Sequence, residues 1–255
     1  MKNNLAVCAL LSIILTGCVT NESRESFARL ECWGTMREVL REGDTDGHVR
    51  LLDVARPGTW GVGALAGLEG EVTITDGNVS LAIVEDGSLV HRSPGPRDQA
   101  ALLVLATVDS WAQHEVLEAR SMADLELVLG SVVREAGFDP VAAPIPVRLV
   151  GPFAGLSVHV LDHSCPIADP QGPAPWRWAG EGATGEVIGI FVEGAGGRLT
   201  HHGQSFHLHA VVHTPEGSLV SGHVDDLALG AGVRLFLPSG NASSPSSRIE
   251  VVADN

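Results

Sequence analysis

FHLHAVVHTPEGSLVSGHVD, residues Phe206 to Asp225, has the pattern of two β-strands joined by a turn, with histidines on both arms. His207 and His209 are one residue apart, so on a strand their side chains leave the same face and can share one ion. Thr214-Pro215-Glu216-Gly217-Ser218 is rich in turn formers and returns the chain antiparallel to the first arm. In a hairpin symmetric about Glu216, His223 lies opposite His209 on that same face. Three neutral imidazoles then converge with coordination positions left open, which is a catalytic metal geometry rather than a closed structural one. His213 has the same parity and competes for the third place. A lone H-x-H pair on a wet face is equally two polar side chains. His201 and His202, just upstream in a Gly-rich loop, read as solvent-facing.

The start of the chain reads as a targeting segment. Lys2 supplies a short positive region, Leu5 to Leu15 is an apolar run too short for a permanent bilayer span, and Leu15-Thr16-Gly17-Cys18 follows. That tetrapeptide resembles a bacterial lipobox. The resemblance implies cleavage before Cys18, acylation of its thiol, and a lipid-anchored protein of the cell envelope facing outside the cytoplasm. Val19 rather than aspartate after the cysteine favours the outer membrane in a Gram-negative host. Residues 1–17 are thus signal and 18–26 a polar tether.

What remains is long enough for one large or two small domains. A net charge of -15, with no basic run, argues against nucleic acid as a partner. The chain has no tyrosine, so carboxylates, histidines and a metal would carry any proton chemistry. Cys32 and Cys165 are the pair that could join in an oxidising compartment.

Phe27, Leu30, Trp33, Met36, Val39 and Leu40 recur at helical spacing and predict a first helix ending at Gly43. Arg56 to Gly63 reads as a Gly-rich loop, followed by a strand over Val72–Thr75 that Asp76-Gly77 turns into its partner; Asp86-Gly87 marks a second hairpin. Ala100 to Val108 is apolar throughout and suits a buried strand. Ser121 and Asp124 open a helix with Leu125, Val128, Leu129, Val132 and Val133 on its core face. The proline-punctuated stretch 139–146 is the expected domain boundary. Strands are expected over 147–150, 156–161, 184–192 and 233–237, and the Ser/Pro-rich segment 239–255 reads as a flexible tail. The predicted architecture is α+β in two parts, a 27–143 domain with a mixed sheet and a 144–238 domain with an antiparallel sheet that carries the metal site.

Several motifs together resemble the α-acetolactate decarboxylase family from about Cys32 to Pro238. They are Gly34-Thr35-Met36, Gly43-Asp44, Gly58-Thr59-Trp60-Gly61-Val62-Gly63, Leu68-Glu69-Gly70-Glu71, Gly185-Glu186-Val187-Ile188-Gly189, Phe206-His207-Leu208-His209 and Ser221-Gly222-His223-Val224-Asp225. The resemblance implies a two-domain α/β fold with mixed and antiparallel sheets. It also implies zinc on His207, His209 and His223, and Glu71 at the place of the family's catalytic glutamate. The implied activity is that of a carbon–carbon lyase converting 2-acetolactate, a 2-hydroxy-3-keto acid, to acetoin and carbon dioxide; a homodimer is among the assemblies it allows. The chain departs from the family pattern in four places. His163 stands where the family has an arginine and is carried with Glu71 as a catalytic position. Ala64 replaces a threonine, the C-terminal segment with a second glutamate is reduced to the tail around Glu250, and the loop between His209 and His223 is longer.

Zinc on three neutral imidazoles keeps its charge and can act as a Lewis-acid sink, so no organic cofactor is needed. Two other readings share these residues. One is a lipid-anchored binding module that keeps the metal without turnover. The other is a zinc hydrolase with Glu71 as general base.

Overall fold

The computed structural model describes residues 28–115, 118–165, 167–201, 203–239 and 249–253. In chain order the first strands are β1 (Ala28–Trp33), β2 (Val49–Arg50), β3 (Thr59–Leu65), β4 (Gly70–Thr75), β5 (Asn78–Glu85), β6 (Ser88–Arg92) and β7 (Gln99–Val108). After them come β8 (Trp111–His114), β9 (Ile145–Val160), β10 (Trp176–Gly180), β11 (Thr184–Phe191), β12 (Phe206–His213), β13 (Leu219–Leu229), β14 (Arg234–Pro238) and β15 (Ile249–Ala253). Two α-helices, α1 (Leu51–Val54) and α2 (Met122–Glu135), and two helical turns complete the described elements.

One sheet runs β15-β1-β7-β3-β4-β5-β6 with β2 beside β7, and only its β1–β15 pairing is parallel. The other runs β11-β12-β13-β9-β14-β8 with β10 on β9, antiparallel throughout. The mixed and antiparallel sheets are those expected from sequence. In the second sheet β11 pairs with β9 as well as with β12, and β13 also pairs with β9, so β9, β11, β12 and β13 close into a small barrel.

Local chemistry accounts for several elements. The β4–β5 and β5–β6 hairpins turn on Asp76-Gly77 and Asp86-Gly87, both residues of each pair having positive φ, as a two-residue hairpin turn demands. The apolar run of β7 is buried because β1, β2 and β3 flank it. Helix α2 starts where the Ser121 side chain accepts the Asp124 backbone N–H at 3.2 Å. Its Leu125, Leu129 and Val133 join Phe206, Leu208, Ala210 and Val212 of β12 in one hydrophobic cluster. Each such buried leucine contributes about 2 kcal/mol through the water it sheds. The odd-numbered residues of β12 face the other way, toward the first sheet. A second cluster, Leu30, Val104 and Ala106 with Ile190 and Val192, joins the two sheets.

Other expectations are corrected. The predicted first helix is instead the strand β1 followed by a helical turn over Glu38–Glu42, closed by Gly43 with φ 72°. Residues 28–33 also alternate apolar and charged, and an open edge beside β7 selects the extended form. From Thr59 onward the predicted Gly-rich loop is strand β3: a Cβ on Gly63 would sit 1.9 Å from the Leu102 carbonyl oxygen, so the glycine serves close strand packing, not a turn. The predicted strands 147–150 and 156–161 are one strand, β9, running through Gly151-Pro152. The chain enters the second sheet already at β8, and α2 packs in that sheet's core, so 139–144 connects α2 to β9, which Ile145 and Pro146 already open. Part of the segment read as a flexible tail forms β15 and returns to the first sheet beside β1.

Candidate metal centre

The β12–β13 hairpin closes on a five-residue turn in which Thr214 N–H donates to the Ser218 carbonyl at 2.9 Å and Gly217 N–H to the Thr214 carbonyl at 2.8 Å. Its register pairs His209 with His223, symmetric about Glu216. His207, His209 and His223 are all buried, and one ring nitrogen of each lies within 4.8 Å of the others. Gly222 makes room for this packing. It has φ 153°, and a Cβ there would stand 2.4 Å from the His159 carbonyl oxygen.

The first sheet completes the surroundings. On β4, Glu71 and Thr73 share a face, and Thr73 Oγ1 lies 3.1 Å from His209 Nδ1. That contact settles the ring orientation and leaves Nε2 facing the cluster, 3.6 Å from Glu71 Oε2, too far for a hydrogen bond. His209 Nε2 and His207 Nδ1 are buried without a hydrogen-bond partner. Buried ring nitrogens left in this way suit lone pairs aimed at an ion.

Burial dominates the electrostatics. It pushes the His207 imidazole down to about 3, helped by the charges of His201 and His159 and opposed by the Leu199 backbone. It also takes His209 and His223 well below their usual range, again with help from neighbouring histidines. All three are therefore neutral, which is the metal-binding form. Burial pushes the Glu71 carboxyl up to about 7, against the pull of His159 and a hydrogen bond from the Leu161 backbone.

A cavity of about 260 Å³ opens on the cluster. His207, His223 and Glu71 line one side, and Met36, Val39, Leu102 and Leu161 form an apolar wall. Four further polar residues reach it that sequence reasoning passed over: His159, Arg177, Gln204 and Asp225. His159 Nδ1 is 2.7 Å from Asp225 Oδ1, and Arg177 Nη1 donates to Asp225 Oδ2 at 2.5 Å. Burial raises the Asp225 carboxyl, but the hydrogen bonds and charges of His159 and Arg177 outweigh it and hold the group below the usual carboxylate range.

Solved structures with this arrangement of strands are known. An α-acetolactate decarboxylase from Bacillus subtilis strain 168 is 18% identical, with a TM-score of 0.60 over 89% of each chain. The acetolactate decarboxylase of Bacillus subtilis subspecies spizizenii is 17% identical, with a TM-score of 0.62 over 89% of this chain and 90% of that one. A Staphylococcus aureus protein of unknown function, described as similar to α-acetolactate decarboxylase, is 16% identical, with a TM-score of 0.60 over 88% and 89%. The fold is that of the acetolactate decarboxylases. No protein-family model and no curated protein sequence matches the chain.

Within this acetolactate decarboxylase fold, the positions singled out by sequence fall as follows. Glu71 is the second residue of β4 and points into the cavity; Ala64 lines it too. His163 does not. Its backbone has φ 56° and is tied by its N–H to the Leu68 carbonyl at 2.8 Å, which leaves the side chain exposed and outside the cavity lining. The expectation that it takes the place of a substrate-facing arginine is thereby corrected. His213 is exposed at the turn end of β12, outside the cluster. His201 is half-buried, lines the cavity and packs edge-on to His223 at 5.0 Å, contrary to its reading as solvent-facing; His202 lies outside the described residues. Cys32 and Cys165, whose pairing the sequence left open, are both free thiols; burial pushes Cys32 up to about 11. Glu250 pairs through its backbone with Arg29, at the far edge of the first sheet. Cys18 lies outside the described residues.

Proposed function

We propose that this protein is a metal-dependent carbon–carbon lyase that decarboxylates 2-acetolactate, or a close 2-hydroxy-3-keto acid, to acetoin and carbon dioxide. The supporting observation is the pairing of three buried neutral imidazoles with a buried carboxyl, Glu71, held near neutrality on the wall of the same cavity. His207, His209 and His223 would hold zinc, which when bound supplies a Lewis acid for charge developing on the substrate's oxygens. Thr73 keeps His209 in its ligating orientation. Loss of carbon dioxide breaks the bond between the carboxylate carbon and the hydroxyl-bearing carbon, and the electron pair passes toward the neighbouring ketone. The protonated Glu71 carboxyl then returns a proton to that carbon from one side, which favours a single enantiomer of acetoin. The apolar wall of Met36, Val39, Leu102 and Leu161 keeps water from competing for this step.

The test is acetoin formation from racemic acetolactate by the purified chain, with and without chelator. Acetoin that disappears on chelation and returns with zinc is expected. Zinc binding without acetoin overturns the lyase reading, and the metal-binding module or the hydrolase then takes its place.

The sequence also supports a lipid-anchored envelope protein whose mature chain begins at acylated Cys18. Cys18→Ser should abolish labelling by palmitate and release the chain from membranes. Continued labelling overturns the assignment.

A further inference from the structure

β13 contains a bulge beside the metal cluster. His223 pairs with His159 and Val224 with Val158, but the next pair is Asp226 with Ser157, so Asp225 is the extra residue. The bulge lets two consecutive aspartates serve different sides. Val224 and Leu227 both enter the barrel's hydrophobic cluster, Asp226 Oδ1 accepts the Met122 N–H at the start of α2 at 3.2 Å, and Asp225 faces the cavity. Each oxygen of Asp225 has a partner, one His159 and the other Arg177.

Those two partners have complementary capacities. Among the described residues Arg177 is the one lysine or arginine that lines the cavity, and it stands half-exposed at the mouth. Its bond to Asp225 uses one of a guanidinium's five N–H donors, and such a group suits a planar carboxylate. His159 is tied to Asp225 through Nδ1, which leaves Nε2 as the ring nitrogen for a second hydrogen-bond partner. Donors for an anion and a ring nitrogen for a hydroxyl are thus held by one carboxylate.

We propose that Asp225 is a positioning residue that assembles Arg177 and His159 into a recognition arm, Arg177 taking the substrate's carboxylate and His159 its adjacent hydroxyl. This rests on the reading of the cavity as a site for 2-hydroxy acids. It assigns recognition to β9 and β10, held together by the β13 bulge, rather than to the His163 turn.

The test uses the full zinc-loaded chain, titrated calorimetrically with 2-hydroxy-2-methylpropanoate and with the corresponding amide, for wild type, Arg177→Gln and Asp225→Asn. Zinc content is measured for each protein. Wild type should bind the acid more tightly than the amide by roughly tenfold to a hundredfold, the range of a charge-assisted hydrogen bond. Both variants should lose that preference with zinc content unchanged. Asparagine places a donor where His159 and Arg177 each need an acceptor, so it cannot satisfy both. Equal binding of acid and amide by wild type overturns the arm, as does full preference in Arg177→Gln. Loss in Arg177→Gln with full preference in a folded Asp225→Asn overturns the positioning role. If Asp225→Asn does not fold, Arg177→Gln on the separate strand β10 still decides. Acid preference without acetoin from acetolactate leaves the arm standing and overturns the lyase. Acetoin formation by Arg177→Gln at unchanged KM does the reverse.

Discussion

The β12–β13 hairpin and strand β4 contribute to one centre in different ways. The hairpin brings three imidazoles together within a short stretch of chain, through side-chain alternation and one turn. β4 supplies Glu71 and Thr73 from the other sheet, with Thr73 separated from its partner His209 by 136 positions in sequence. Bringing the three imidazoles together is thus nearly a local property of this chain, whereas the orientation of His209 and the placing of Glu71 beside it depend on how two sheets dock. Substitutions on the two sides should therefore fail in different ways.

The largest effect is expected on the hairpin side. His223→Ala leaves two of three donors, and zinc measured by elemental analysis should fall from one per chain to near zero. His213→Ala, on the same strand face but outside the cluster, should keep full zinc. Equal loss in both variants would break the assignment of ligands. On the β4 side, Glu71→Gln should retain zinc while acetoin turnover falls by roughly a hundredfold to ten-thousandfold, because an amide keeps the shape but has no acidic proton to deliver. If zinc and turnover fall together, the two regions are not separable.

Thr73→Val sharpens the comparison from between the sheets. It removes the hydroxyl that orients His209 without removing a ligand, and should weaken zinc by roughly tenfold to a hundredfold in a competition titration. The smallest effect is expected at Asp98, away from the cavity, where Arg92 donates at 2.6 and 2.9 Å. The Arg92 hydrogen bonds hold the Asp98 carboxyl below its usual range, so its contribution is present above about pH 4 and lost as pH falls through the lowered value. The pair is partly exposed and screened, and Asp98→Asn should cost about 1 kcal/mol or less in thermal unfolding at pH 7, with zinc and turnover unchanged. A larger loss of zinc there would mean that general loosening of the first sheet, rather than β4 itself, controls the site.

The residues that misled are as informative as those that did not. Leu30 and Trp33 fit a helical repeat, yet both lie in β1, because periodicity over so short a span admits both forms and the unpaired edge of β7 decides between them. Gly61 and Gly63 looked like loop residues, and only the neighbouring β7 backbone shows why no larger side chain fits at Gly63. His163 followed from a motif alignment, and its left-handed backbone turns it out of the cavity. His159 left no local signal at all. Its relation to His223 appears only when β9 pairs with β13.

By itself the sequence determined what depends on neighbours a few residues apart: the alternation that puts His207 and His209 on one face, the Asp-Gly turns with their positive φ, and the Ser121 cap of α2. Only the tertiary structure decided which strand faces the histidines, where the bulge at Asp225 falls, and which arginine reaches the cavity. Those outcomes follow from burying whole sheet faces against each other, a sum over dozens of distant side chains that no local pattern contains.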